Sequence, residues 1–236
     1  HNHLEGKTNK GVTLAVRLDS EDSRENGHRI DHNYFGPRQS LGSNGGETLR
    51  IGTSHYSMFD SKTIVENNVF DRTDGEVEII SSKSGGNTFR GNLFLRSRGN
   101  LTLRHGDGNL VERNIFLGHG KDYTGGIRVI NRDQTVRDNY MEGLRGTGFS
   151  SALAVAGLEI PAMIDEVAIH LGGPVRVARY AFPGTEELAV HVCVALEGRK
   201  AALMANHGAV CVGRDLQEAL QVSTLLERVA EIFVHA

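Results

Sequence analysis

"VENNVF", residues 65–70, decides how this chain folds. An apolar residue is followed by two polar ones, an asparagine, a second apolar residue and a phenylalanine. The frame returns as "IDHNYF" at 30–35, "FRGNLF" at 89–94, "VERNIF" at 111–116 and "VRDNYM" at 136–141. The aligned asparagines are Asn33, Asn68, Asn92, Asn114 and Asn139, spaced by 35, 24, 22 and 25 residues. A period in the low twenties, built of short alternating stretches between Gly and Asn turns, marks a solenoid. No helical stretch lies between the repeats. The expected fold class is therefore mainly β: a right-handed, single-stranded parallel β-helix, truncated, with one coil per repeat and coils about 4.8 Å apart. The longer first interval holds an inserted loop with "GPRQSLGSNGGE". The recurrent Asn is expected at a coil corner, tolerating left-handed geometry and bonding its ladder neighbours. The recurrent Phe is expected in the core.

The pattern stops near residue 150. Residues 1–149 hold 14 Asn, 22 Gly and 1 Ala, whereas residues 150–236 hold 1 Asn, 7 Gly and 16 Ala. Charge shifts from 20 basic against 19 acidic residues to 6 against 10. One fold rarely changes its residue usage so abruptly, so we read two segments, 1–150 and 151–236.

A second ladder carries the chemistry. "TLRIG" (48–52), "EVEIIS" (76–81), "LTLRHG" (101–106) and "IRVIN" (127–131) alternate apolar and polar residues. Setting Ile51, Ile79, Leu103 and Val129 inward aligns Arg50, Glu78, Thr102 and Arg128 outward. Glu76 and Arg104 share that outer face, and Lys83 follows its strand. Asn44 and Glu47 lie on the loop before the preceding coil. A charge-mixed, solvated sheet face is one reading of this patch. Against it, Glu76 and Glu78 are neighbours of like sign, an arrangement that raises a pKa or calls for a cation. Two carboxylates and an Asn carbonyl would make an open Ca²⁺ site. Flanked by Lys and Arg, such a site suits an anionic sugar polymer.

"NGGETLRIG", "EVEIISSKS", "LTLRHGDG" and "GLRGTGF" together resemble polysaccharide lyase family six, the alginate lyases and chondroitinase B, over about residues 1–150. The resemblance implies a parallel β-helix with Asn44, Glu76 and Glu78 as Ca²⁺ ligands. It implies Lys83 as base, Arg104 as acid, and His105, Arg128 and Arg50 as substrate-binding residues. The implied reaction is β-elimination on a uronate polysaccharide, alginate before dermatan-type chains. Family members have more coils on both sides, so the chain is expected to open inside a coil with exposed strand edges.

After residue 150 the pattern is helical and α/β. "IPAMIDEVAIHLG" reads as helix or loop-helix, and "AALMA" and "AVCVG" as strands about an "NHG" turn. "RDLQEALQVSTLLERVAEIFVHA" reads as an amphipathic helix capped by Asp215. Its inner stripe is expected to be Leu216, Ala219, Leu220, Ser223, Leu226, Ala230 and Phe233. "ALAVAGLEIPAMIDE", "YAFPGTEELA" and "ANHGAVCVGRDLQEAL" resemble the C-terminal half of the class II aldolase/adducin family. That family implies Zn²⁺ held by three histidines, of which only His207 carries over, as a vestigial ligand. His170, His191 and His235 do not match the motif. A lone imidazole does not hold a catalytic Zn²⁺, so Zn²⁺ is not expected. "SSALAVAG" fits both families, which points to a fusion of two incomplete domains. A zinc sugar-phosphate aldolase fragment, inactive, and a non-catalytic fusion are the alternatives to the lyase.

Composition limits the partners. A net charge of −3 gives no reason to expect nucleic acid. No apolar run is long enough for a membrane helix. Cys193 and Cys211, the only cysteines, imply neither a disulfide framework nor a Cys-based zinc site. The expected partner is an acidic polysaccharide; oligomeric state is left open. The lyase resemblance implies a secreted or periplasmic location, the aldolase resemblance a cytoplasmic one.

Overall fold

The structure is a computed structural model that describes residues 1–42, 44–155, 159–205 and 207–235, the side chains of 233–235 excepted. The chain divides into two compact units, His1–Ala156 and Gly157–Ala236.

The first unit is a parallel β-helix. Its coils contribute short strands to three parallel sheets of six, six and five strands among the described residues. The sheet that carries the site holds β1 (Leu14–Val16), β2 (Leu49–Ile51), β3 (Glu78–Lys83), β4 (Gly99–His105), β5 (Thr124–Val129) and β6 (Leu153–Val155), paired in that order. No helix of the described residues is long and apolar enough to cross a membrane.

The repeat frame explains the stack. Phe35, Phe70, Phe94 and Phe116 pile face to face, with ring centroids 4.8, 4.8 and 4.3 Å apart. That spacing matches the separation of paired strands, so one ring per coil fills the core without a gap. Beside it, each repeat Asn accepts at Oδ1 from the backbone N and Nδ2 of the Asn one coil earlier, at 2.9–3.0 Å from Asn33 through Asn139. A second, shorter ladder runs Thr63–Asn87–Asn109–Gln134. These amides satisfy the backbone donors that each corner takes out of the sheets.

The left-handed corner residue is not the Asn itself. Positive φ falls one position earlier, at His32, Asn67, Gly91, Arg113 and Asp138. The ladder Asn must aim its amide into the coil, so the residue before it makes the turn. At a non-glycine residue this backbone costs roughly 1–2 kcal/mol, which the Asn hydrogen bonds offset.

The register of β3 also differs from strict alternation. Leu49, Ile80, Leu101 and Ile127 form one inward row; Ile51, Ser82, Leu103 and Val129 form the next. Arg50, Ser81, Thr102 and Arg128 share the outward row. Ile79 therefore does not align with Ile51, nor Glu78 with Arg50. The cause is the adjacent pair Ile79–Ile80. Both are buried, which alternation cannot achieve, and the β3–β4 pairing shifts between Asn100 and Leu101 to admit the extra residue. Glu78 then pairs with Asn100.

The second unit is a small α/β segment. β7 (Arg176–Ala178) pairs parallel with β8 (Ala201–Met204), which forms a hairpin with β9 (Gly208–Cys211). α1 (Glu186–Leu196) is capped by Thr185 Oγ1, which accepts from Leu188 N at 3.2 Å. α2 (Leu216–His235) is capped by Asp215 Oδ1, which accepts from Glu218 N at 2.8 Å. The stretch expected as helix or loop-helix holds a π-helical turn, Val167–Leu171. The inner face of α2 is Val222, Leu226 and Val229. Leu216 and Leu220, expected inside, are 89% and 68% exposed, because helical spacing turns them away from the face that Val222, Leu226 and Val229 present to the core. The side chain of Phe233 lies outside the described residues.

Candidate metal and active site

Two loops, entering β2 and β3, build the site. Gly46 and Gly75 pass so closely that a Cβ on either would overlap the carbonyl oxygen of the other. Only glycine permits that approach, and it sets the next residues, Glu47 and Glu76, side by side. The buried Arg38 guanidinium clamps the entry. It donates to the carbonyl oxygens of Gly46 at 2.7 Å, Glu47 at 2.8 Å and Asn9 at 3.0 Å, and to that of Gly11.

Carboxylate oxygens of Glu47, Glu76 and Glu78 all lie within 4.8 Å of one another, and all three residues are buried. Each acid has a different environment. Glu47 accepts at Oε1 from Arg50 Nε at 3.0 Å, while its Oε2 is buried without a hydrogen-bond partner. Glu78 accepts at Oε1 from Arg104 Nη1 at 2.7 Å. The Glu76 carboxyl is pushed up to about 8, by burial first and then by the charges of Glu47 and Glu78. Glu47 and Glu78 each pair with an arginine, and the Arg38 guanidinium lies within electrostatic reach of Glu47 and Glu76.

Lys83 lies half-buried at the end of β3, opposite His105 of β4. Burial lowers the pKa of its ammonium, and Arg50 and Arg104 lower it further, outweighing Glu47 and Glu78. An amine in such surroundings gains access to its neutral, basic form. His105 is buried. Arg128 is half-buried, its Cζ 4.7 Å from the Phe149 ring centroid, with a pKa lowered mainly by burial.

Of the residues marked by sequence, Arg50, Glu78, Lys83, Arg104, His105 and Arg128 fall on four consecutive strands of one sheet, β2 to β5, and Glu76 on the loop entering β3. Asn44 is exposed, on the bend before Glu47. The third acid is Glu47, which the sequence reading placed on the entering loop without a role. The correct register contains the signal. Counting two residues back from the Leu49–Ile80 pair brings Glu47 level with Glu78, in keeping with their carboxylate oxygens lying within 4.8 Å. His207 lies elsewhere, in the second unit. Its Nε2 is 3.1 Å from Ala181 O and its ring stacks on Tyr180. Among the described residues, no group of three or more potential metal-binding His, Cys, Asp or Glu side chains includes it.

The donor set fits a hard divalent cation. Its ligands would all be oxygen, one carboxylate oxygen is buried with nothing to accept from, and Glu76 is forced towards protonation in the cation's absence. Residues 1–185 match the family model described as Chondroitinase B. The chain belongs to the chondroitinase B family. Solved family-six relatives support the assignment. The alginate lyase AlyGC is 70% identical, with a TM-score of 0.64 over 65% of this chain and 21% of its own. A mannuronic acid specific polysaccharide family 6 lyase from human gut microbiota is 49% identical, with a TM-score of 0.62 over 66% of this chain and 34% of its own. This chain thus spans about a fifth to a third of these lyases.

Residues 147–234 match the model described as Class II Aldolase and Adducin N-terminal domain. In this region the chain is 43% identical over 83 residues to the 5-methylthioribulose-1-phosphate/5-deoxyribulose-1-phosphate aldolase of Rhodospirillum rubrum. That match covers 35% of this chain and 38% of the aldolase. The two family matches share residues 147–185.

Proposed function

We propose that the β-helical unit is the catalytic part of a Ca²⁺-dependent lyase that cleaves a uronate polysaccharide, alginate first, by β-elimination. The observation that carries this reading is the juxtaposition of a base-forming lysine with three buried carboxylates and two arginines on one sheet. Glu76, Glu78 and Glu47 would hold the cation, with the Asn44 carbonyl as a further ligand. When bound, Ca²⁺ supplies positive charge opposite the substrate carboxylate, which makes the neighbouring carbon acid easier to deprotonate.

Lys83 in its neutral form takes the C5 proton, α to that carboxylate. The electron pair left at C5 forms the C4–C5 double bond as the glycosidic C4–O bond breaks, and the leaving oxygen takes a proton. Arg104 is held by Glu78 beside Lys83's end of the sheet. A guanidinium hardly deprotonates, so Arg104 stabilises the developing charge while water protonates the leaving oxygen. His105 and Arg128 hold the sugar. Arg50 both anchors Glu47 and suppresses the charged form of Lys83.

The test is direct. The protein is mixed with alginate in Ca²⁺ or in chelator, and the ultraviolet absorbance of the new double bond is followed. We expect a Ca²⁺-dependent rise that disappears in Lys83→Ala. No rise from folded protein, with polymannuronate and polyguluronate both tried, overturns the reading.

The overlap of the two family matches favours a second reading for residues 157–236: a non-catalytic aldolase remnant, joined to the lyase through a stretch that fits both families. Zn²⁺-dependent cleavage of a ketose phosphate would overturn it.

A further inference from the structure

A second feature of the same sheet adjoins the residues of the chemistry above. At the N-terminal ends of β3, β4 and β5 lies a cleft of about 240 Å³, bounded by Ser40, Glu76, Arg98, Tyr123, Thr147 and Phe149. It is smaller than the roughly 300–1,000 Å³ of pockets that enclose a whole drug-sized ligand, which suits a single sugar ring. Glu76, a member of the carboxylate cluster, is among the residues that line it. Its walls carry two large aromatic rings that folding leaves open: Tyr123 is 65% exposed and Phe149 is 49% exposed. Each ring is faced by an arginine. Arg98 Cζ lies 4.6 Å from the Tyr123 centroid and Arg128 Cζ 4.7 Å from that of Phe149.

The walls are held by hydrogen bonds between coils. Arg98 N donates to Asp74 Oδ1 at 2.9 Å, Gly99 N to Tyr123 O at 2.9 Å, and Asn100 Nδ2 to Phe149 O at 2.7 Å. Lys121 Nζ binds the other oxygen of Asp74. The arginines and rings therefore sit on pinned backbone, which lowers the entropy lost when a ligand binds.

We infer that Arg98, Tyr123 and Phe149 form a subsite for a second uronate residue of the polymer, one that is bound but not cleaved. This rests on the lyase reading of the adjoining site. A guanidinium fork matches a sugar carboxylate, and an aromatic ring offers a flat face to the C–H side of a pyranose. Cation–π contact keeps each arginine over its ring while its N–H edge remains available. A neutral sugar would satisfy only the aromatic half, so the pair selects a carboxylate-bearing unit next to the catalytic one.

The experiment measures binding without turnover, on the Lys83→Ala chain in Ca²⁺, by calorimetry with mannuronate oligomers and with the same oligomers reduced to neutral sugars. Adding Arg98→Ala or Tyr123→Ala weakens binding of the tetramer about tenfold at unchanged melting temperature. Arg98→Lys recovers part of the loss. Arg98→Ala leaves the weak binding of the reduced oligomer unaltered, because no carboxylate is present to lose. Equal tetramer affinities for parent and variants overturn the subsite, while the lyase reading stands if the wild type forms the double bond. Binding that depends on Arg98 and Tyr123, with no double bond from the wild type, keeps the subsite as a glycan-binding site and overturns the lyase reading. No binding of any oligomer overturns both.

Discussion

Glu47 and Glu76, 29 residues apart in sequence, are brought side by side because Gly46 and Gly75 allow their backbones to touch. Neither acid's position comes from its own strand alone. The contact between two glycines sets the spacing of the carboxylates, and Arg38 holds one of the loops in place.

The first prediction concerns pH and metal. The Glu76 carboxyl is raised in the folded chain to about 8, from an ordinary value of 4.5. Between those values the folded state holds a proton that the unfolded state has released. Stability of the metal-free protein therefore falls as pH rises through that window and levels off above it. Melting temperature in chelator should drop from pH 5 to pH 8, and Ca²⁺ should restore more of it at pH 8. Glu76→Gln should flatten the metal-free profile and abolish the Ca²⁺ increment. A profile unchanged by Glu76→Gln would contradict this.

Lys83 supplies the second. Lys83→Ala should lower kcat/KM by about 10²–10⁴-fold, with oligomer binding kept. Because burial, Arg50 and Arg104 all depress its pKa, the rising limb of wild-type activity should fall below the ordinary lysine range. Arg50→Gln removes one of those cations, so it should move the limb to higher pH. The pH–rate profile of double-bond formation checks both.

Loop geometry supplies the third. A Cβ at Gly75 meets the backbone of Gly46 and forces the loops apart. Gly75→Ala should cost Ca²⁺ affinity and activity together. Arg38→Met strips the donor from four carbonyl oxygens, two of them at the site. At about 1–3 kcal/mol per buried group left unpaired, it should cost several kcal/mol of stability. Calorimetric Ca²⁺ titration and denaturant unfolding separate the two effects.

The Asn ladder yields the fourth. Asn92 accepts from Asn68 N and Nδ2 and donates to Val65 O and Asn114 Oδ1, all within the core. Asn92→Leu should destabilise the β-helix by about 2–4 kcal/mol, whereas Arg113→Gly, at a left-handed corner, should stabilise it slightly. Urea midpoints measure both. An Asn92→Leu midpoint equal to wild type would show that the ladder is dispensable.

Much of the fold can be read directly from the chain. The Asn and Phe positions recur with the coil, and each coil repeats one set of physical requirements: a ring for the core and an amide for the corner. The β3 register is not readable in this way. Two adjacent isoleucines, Ile79 and Ile80, are equally apolar, and only the packing against Leu49 and Leu101 decides which one occupies the ladder. The buried face of α2 is hidden for a similar reason. Its apolar residues spread beyond one face, and the core beneath selects Val222, Leu226 and Val229.

The amino-acid sequence suffices for the coil period, the stacked aromatic core and the presence of acids beside a lysine, because these depend on local pattern repeated many times. The membership of the carboxylate cluster depends on tertiary structure. Glu47 joins Glu76 and Glu78 only because β2 pairs with β3 from Leu49–Ile80 onward and two glycines bring the entering loops together. Both are contacts between distant residues, and their geometry follows from how whole coils stack.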